Sequence, residues 1–141
     1  VTLEVRYDVA GAHELVRRME ALSDAMAERV MERAARSAGE VVVNEWKRTF
    51  RKKSEQSVAG LPPRVQSGTY RRAIHLELVS HSRTRVEVVV GPSIIDPPYP
   101  AYLEYGTSRM SPHPIARPAW DRSKVPARDE ATRQLSAALG L

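Results

Sequence analysis

Leu15-Val16-Arg17-Arg18-Met19-Glu20-Ala21-Leu22-Ser23-Asp24-Ala25-Met26-Ala27-Glu28-Arg29-Val30-Met31-Glu32-Arg33-Ala34 carries apolar side chains at Leu15, Met19, Leu22, Met26, Val30 and Ala34. That three- or four-residue spacing lines one face of an α-helix. Val41, Trp46 and Phe50 continue the stripe with some drift. The pattern predicts one long helix from about Ala12 to Arg51 or Lys52, with Gly39 and the β-branched run Val41 to Val43 as the points where it would bend or divide. A helix of more than about 30 residues exceeds what one compact core in so short a chain covers, so part of the stripe is expected to meet a neighbouring subunit.

Upstream, Val1 to Tyr7 reads as a short strand, and Val5, Tyr7 and Val9 alternate before Gly11. Downstream, Lys53 to Val65 holds Ser, Gln, Gly60 and Pro62-Pro63 without periodicity, which predicts a flexible loop over about 53–66. Ser67-Gly68-Thr69 begins a short turn or helix carrying Tyr70 and Ile74. His75 to Ser80 and Arg85 to Gly91 then read as an antiparallel hairpin, with Val86, Val88 and Val90 on the core side. Pro92, Pro97, Pro98 and Pro100 end the ladder, and Tyr99 to Tyr105 forms a short helical turn before Gly106. Ile115 to Arg122 opens a last helical region that Pro126 interrupts and Ala127 to Leu139 resumes, with Ala131, Leu135 and Leu139 at four-residue spacing. The expected class is α+β: a long N-terminal helix packed on a small, mainly antiparallel sheet, with a C-terminal helix, in one domain over 1–141.

At 141 residues the chain supports one core, and a two-domain cofactor enzyme is not expected. The absence of cysteine excludes disulfides, thiol catalysis and thiolate metal sites. No apolar run approaches the roughly 20 residues of a membrane span, and the N-terminus lacks the zones of a signal peptide, so a soluble chain that is not exported is expected. Twenty-two Lys and Arg against 17 Asp and Glu give a net charge of +5, a basic balance diluted by many acids.

None of His13, His75, His81 and His113 has the spacing of a zinc helix, and no phosphate loop, nucleophile elbow or dinucleotide fingerprint appears, so no metal, cofactor or catalytic residue is expected. Glu104 lies in Tyr102-Leu103-Glu104-Tyr105-Gly106-Thr107, beside Arg109 and within reach of Arg117 if the chain folds back. Two aromatic rings and a glycine around one carboxylate describe an ordered corner or a subunit-contact ion pair better than a reaction centre. Lys47, Arg48, Arg51, Lys52 and Lys53 form the densest basic run. They read either as a solvated cap on the helix C-terminus or, with Arg64, Arg71 and Arg72, as a phosphate-facing patch for sequence-independent contact with DNA. A small DNA-binding module and a small hydrolase are the rival classes; the hydrolase has no named residues behind it.

Tyr99 to Met110, followed by Pro114-Ile115-Ala116-Arg117-Pro118-Ala119-Trp120, resembles the HK97 gp10-like family of tailed-phage and prophage proteins. Leu103 to Thr107 match the Val/Leu-Glu-Phe/Tyr-Gly-Thr element; Pro114, Ile115, Arg117, Pro118 and Ala119 match the Pro-hydrophobic-hydrophobic-Arg-Pro-Ala element. Ser67 to Ile74 is similar to a third stretch, departing from it at Ser67, Tyr70 and Ala73. The resemblance implies a tail-completion or head–tail joining virion protein without a catalytic centre or cofactor, one that self-associates in a ring usually taken to be hexameric. It implies tail terminator or tube proteins and portal-side adaptor proteins as partners, non-specific contact with passing DNA, and no membrane. The implied location is the head–tail interface of the virion, reached from the host cytoplasm during assembly. It carries no catalytic role over to Glu104 or Arg117; a structural corner or subunit contact at Tyr102 to Thr107, Arg109, Pro114, Arg117 and Pro118 is an inference from the residues.

Overall fold

The structure, a computed structural model, describes residues 2–4, 13–82, 85–93 and 99–141. Along the chain they form β1 (Thr2–Glu4), α1 (His13–Glu20), α2 (Asp24–Thr49), α3 (Thr69–Ala73), β2 (Ile74–His81), β3 (Val86–Pro92), α4 (Tyr99–Tyr105) and α5 (Ala116–Leu139). The α+β class holds: a long helix packs on a small antiparallel sheet, and the C-terminal helix packs on the long one.

The expected helix from Ala12 to Arg51 or Lys52 is two helices, and the division falls at residues 21–23 rather than at Gly39. Ser23 is the cause. Its backbone is extended, with φ −63° and ψ 156°, and its Oγ accepts from the Met26 N–H at 3.4 Å, so α2 starts afresh with its own N-cap and with Asp24 in its first turn. The buried face of α2 is accordingly set by Ala27, Ala34, Ala35, Ala38, Gly39, Val42, Val43 and Trp46. Met26 of the expected stripe is exposed, and Leu15, Met19, Leu22 and Val30 are half-buried. Helix α2 is continuous through Gly39, which lies under Leu76 of β2, and that side chain occupies the space a Cβ would need.

The sheet has the order β1-β3-β2, antiparallel throughout, with Leu3 and Leu78 both opposite Val88. The hairpin β2–β3 forms as expected, and Val86, Val88 and Val90 are buried beneath α2. The register shifts between Leu78 and Ser80, leaving Val79 as a bulge on an edge strand, a device that blunts edge-to-edge pairing. The alternation Val5, Tyr7 and Val9 lies outside the described residues.

Helix α5 runs antiparallel to α2: Arg122 donates from Nε to Glu45 Oε1 at 2.9 Å and from Nη2 to Thr49 Oγ1 at 2.7 Å, so the start of α5 meets the end of α2. Both helices bury alanines, Ala34, Ala35 and Ala38 on α2 and Ala119, Ala127 and Ala131 on α5. The expected interruption at Pro126 does not occur; α5 is continuous through it. Pro126 and Arg122, whose carbonyl loses its helical donor, are both exposed at the edge of a crevice between α5 and α2, where water can satisfy that carbonyl.

The segment between α2 and α3 is tied at several points. Arg51 and Arg64 form a parallel bridge in which Arg51 N donates to Pro63 O at 3.0 Å and Val65 N to Arg51 O at 2.9 Å. Farther out, Gly60 N donates to Pro112 O at 2.9 Å, and His113 Nδ1 lies 3.1 Å from Leu61 O.

Candidate functional site

Helix α5 begins with Ile115 at the N-cap position, a residue with no side-chain oxygen to offer the first amides. Glu104, eleven residues upstream at the end of α4, supplies the acceptor. Its Oε2 receives the N–H groups of Ile115 at 2.9 Å and Ala116 at 3.0 Å, and its Oε1 receives that of Arg117 at 3.3 Å. The carboxylate is 8% exposed. A negative charge that would be disfavoured by burial is here held by amide donors and the positive end of a 24-residue helix. Arg117 adds its Nε at 3.5 Å from Glu104 Oε1 and lies over the Tyr105 ring, 5.4 Å from the centroid.

The rest of the corner is backbone work. Leu103 is buried and its carbonyl accepts from His113 N at 2.7 Å. Thr107 and Met110 exchange hydrogen bonds of 2.9 and 3.3 Å, and Thr107 Oγ1 accepts from Arg109 N at 3.2 Å. Gly106 turns the chain at φ 74°, where a Cβ would meet Met110 O at 2.8 Å and Pro112 N at 3.0 Å. Gly106→Ala should therefore lose about 2 kcal/mol of unfolding free energy, from left-handed strain plus the clash, as read from urea melts. The structure thus holds Leu103 and Glu104 against His113 and residues 115–117, with the half-buried Pro114 between those contacts. Arg109 engages Thr107 through its backbone, and Tyr102 and Tyr105 turn outward, Tyr105 being 72% exposed.

Beneath the corner, Trp46, Tyr70 and Phe50 form an aromatic floor. Phe50 and Tyr70 pack edge to face, with centroids 5.1 Å apart at 87°. Burial pushes the Tyr70 phenol up to about 12; the Glu104 charge adds to the rise and the nearby Trp46 indole tempers it. That indole N–H is itself buried and outside hydrogen-bond geometry with any described group. Because the folded phenol titrates higher than the unfolded one, its contribution to stability is complete below about pH 10 and is lost as pH rises through about 12. Between about pH 9 and 12 the parent chain should lose about 2 kcal/mol more stability than Tyr70→Phe, a difference that paired denaturant melts at each pH would show.

Between α2, α3 and α4 lies a groove of about 300 Å³ with Phe50, Val65, Tyr70, Tyr99 and Leu103 along it and Arg64 and Arg71 at its rim. The sequence pattern gave no sign of it. Its members come from three separate stretches of chain, Phe50, residues 63–71 and α4, and Phe50, Tyr70, Leu103, Arg64 and Arg71 stood out in the sequence only for other reasons.

The basic residues are distributed unequally. Arg48 pairs with Glu45 at 3.6 Å, and Arg51 is held by Glu55 at 3.0 Å and by the Gln56 carbonyl at 2.9 Å. Arg64 donates to the Glu55 carbonyl at 3.4 Å and Arg72 to the Ser67 carbonyl at 3.2 Å. Lys47 is half-buried, whereas Lys52, Lys53 and Arg71 are exposed. Among the described residues no three His, Asp or Glu side chains cluster as metal ligands, and no helix is long and apolar enough to cross a membrane.

Fold and corner together define a small α+β protein whose buried carboxylate joins two elements of the chain. Residues 13–106, about two-thirds of the chain, match the family model HK97-gp10_like, described as "Bacteriophage HK97-gp10, putative tail-component". The chain belongs to that family of structural phage proteins and is a tail-associated component of the virion. No curated protein and no solved structure matched it. The matched span stops at Gly106, so Pro114 to Trp120 lies beyond it; the Glu104 cap is what binds that second element to the first.

Proposed function

We propose that the chain is a tail-completion or head–tail joining subunit that closes into a ring of about six copies at the head-proximal end of the tail, through repeated heterologous contacts. The observation that carries this reading is α1: it is amphipathic, yet none of its residues is buried within the subunit, and Val16 is half exposed. Within the subunit α1 is tied to the end of α5 by Arg18, whose Nη1 donates to Leu139 O at 2.7 Å, and its exposed apolar side chains are left for a surface outside the subunit. The outward Tyr102 and Tyr105, with Arg109, Arg117 and Pro118 around them, supply a second contact face of the composition that interfaces favour. One side of the ring would meet the tail terminator or tube and the other the portal-side adaptor, with Lys52 and Lys53 placed for weak, salt-sensitive contact with passing DNA.

Light scattering after size exclusion, across protein concentration and salt, tests the reading. A concentration-dependent species near about six times the 15.8 kDa chain mass is expected, and Val16→Glu should return it to monomer without altering the circular dichroism spectrum. A strict monomer that also fails to join tails to filled heads would overturn it. Sequence-independent DNA binding is the second reading, supported by the exposed Lys52, Lys53 and Arg71; tight duplex binding that falls steeply with salt would favour it.

A further inference from the structure

We propose that the groove between α2, α3 and α4 is a docking site for an extended segment of another protein, one large apolar side chain flanked by carboxylates. The groove is about 300 Å³, the small end of ligand pockets, with room for about one or two large side chains. Its floor is made by Tyr70 and Leu103, both buried, and its walls by Phe50 and by Tyr99, which is 39% exposed. The edge-to-face contact of Phe50 with Tyr70 fixes that floor in advance, so an entering side chain meets a formed surface.

Charge decides the kind of occupant. Among the described residues none of the 12 that line the groove is acidic, while Arg64 and Arg71 stand at its rim and both are exposed. Of the carboxylates beside it, Glu55 is engaged by the Arg51 side chain at 3.0 Å and by the Lys52 N–H at 3.0 Å, and Glu104 by the N–H groups of Ile115, Ala116 and Arg117. An apolar slot bounded by two exposed guanidinium groups, of which Arg64 gives one donor to the Glu55 carbonyl, complements an apolar anchor between carboxylates. A phosphate backbone would use the rim but leave the apolar floor idle, which favours a peptide over nucleic acid. The proposal does not rest on ring formation, because one subunit carries every lining residue.

The test uses the ¹⁵N-labelled full chain and the blocked pentapeptide acetyl-Asp-Glu-Phe-Glu-Asp-amide. Saturable shifts of the Val65, Gly68, Thr69 and Tyr70 amides are expected. Replacing the peptide's Phe by Ala should weaken binding at least about tenfold, and so should the double change Arg64→Glu, Arg71→Glu. If that double variant misfolds, Tyr99→Ala, an exposed wall residue, must give the same loss. Equal binding of a Lys-flanked peptide, or shifts that fail to saturate by about millimolar concentration, would overturn the proposal. So would a thymidine dodecanucleotide moving the same amides at lower concentration, which would assign the groove to nucleic acid.

Discussion

Glu104→Ala should lower the unfolding free energy by about 3 kcal/mol, the largest effect expected of any single side-chain truncation at the corner. The substitution removes the acceptor of three backbone N–H groups at the start of α5 and leaves that of Ile115, 0% exposed, without water or protein to replace it. It also deletes the charge that complements the helix N-terminus. Arg117 contributes little to this sum, since its side chain is 68% exposed and screened. Glu104→Gln keeps one carbonyl oxygen but turns an amide donor toward the other N–H groups, so it should cost about half as much. Urea melts followed by circular dichroism, with an unchanged slope, would register both losses. A Glu104→Ala chain within about 0.5 kcal/mol of the parent would show that the carboxylate does not hold α5, and the corner as described would be wrong.

The corner was legible as a corner and illegible as a cap. Tyr102 to Thr107 stood out as two rings and a glycine turn around one carboxylate, and Arg117 was within reach on paper, as it is in space. What the local pattern could not show is that three consecutive amides, eleven to thirteen residues away, are the main partners. One signal was available: Ala116 to Leu139 reads as a helix with no Ser, Thr, Asp or Asn at its start, and a buried helix end must find its acceptor elsewhere. The division of the long helix was legible too, because Ser23-Asp24 is a start signal, but an unbroken apolar stripe outweighed it. The sheet was the easiest part. Val86, Val88 and Val90 alternate, and alternation survives folding because a strand's faces are fixed by its own backbone. The groove was beyond the sequence because Phe50, Val65, Tyr70 and Tyr99 share no period; only the bridge between Arg51 and Arg64 and the packing of α3 bring them side by side.

Ala131→Leu should destabilise the chain by about 3 kcal/mol and lower the melting temperature by about 10 °C. Leucine is as good a helix former as the site requires and more apolar than alanine, so propensity and transfer both argue the other way. Geometry decides against it. Ala131 is 0% exposed, on the side of α5 that meets α2, where Ala35 and Ala38 are also buried, and such alanine-to-alanine contact places two helices near the lower end of the about 8–10 Å range of axis separations. At a fully buried position three added carbons must displace packed neighbours. The helices must part, and parting strains the forked contact of Arg122 with Glu45 and Thr49 as well as the cap that Glu104 places on the first turn of α5. Ala137→Leu, at an exposed position of the same helix, is the control and should stay within about 0.5 kcal/mol of the parent. If Ala131→Leu melted with the parent, the α2–α5 seam would have slack, and its alanines would report low side-chain entropy and not close approach. If it melted early while Ala137→Leu did not, the seam would be the rigid spine on which β3, the corner and the groove are all mounted, because each of them takes its position from α2 or from the start of α5.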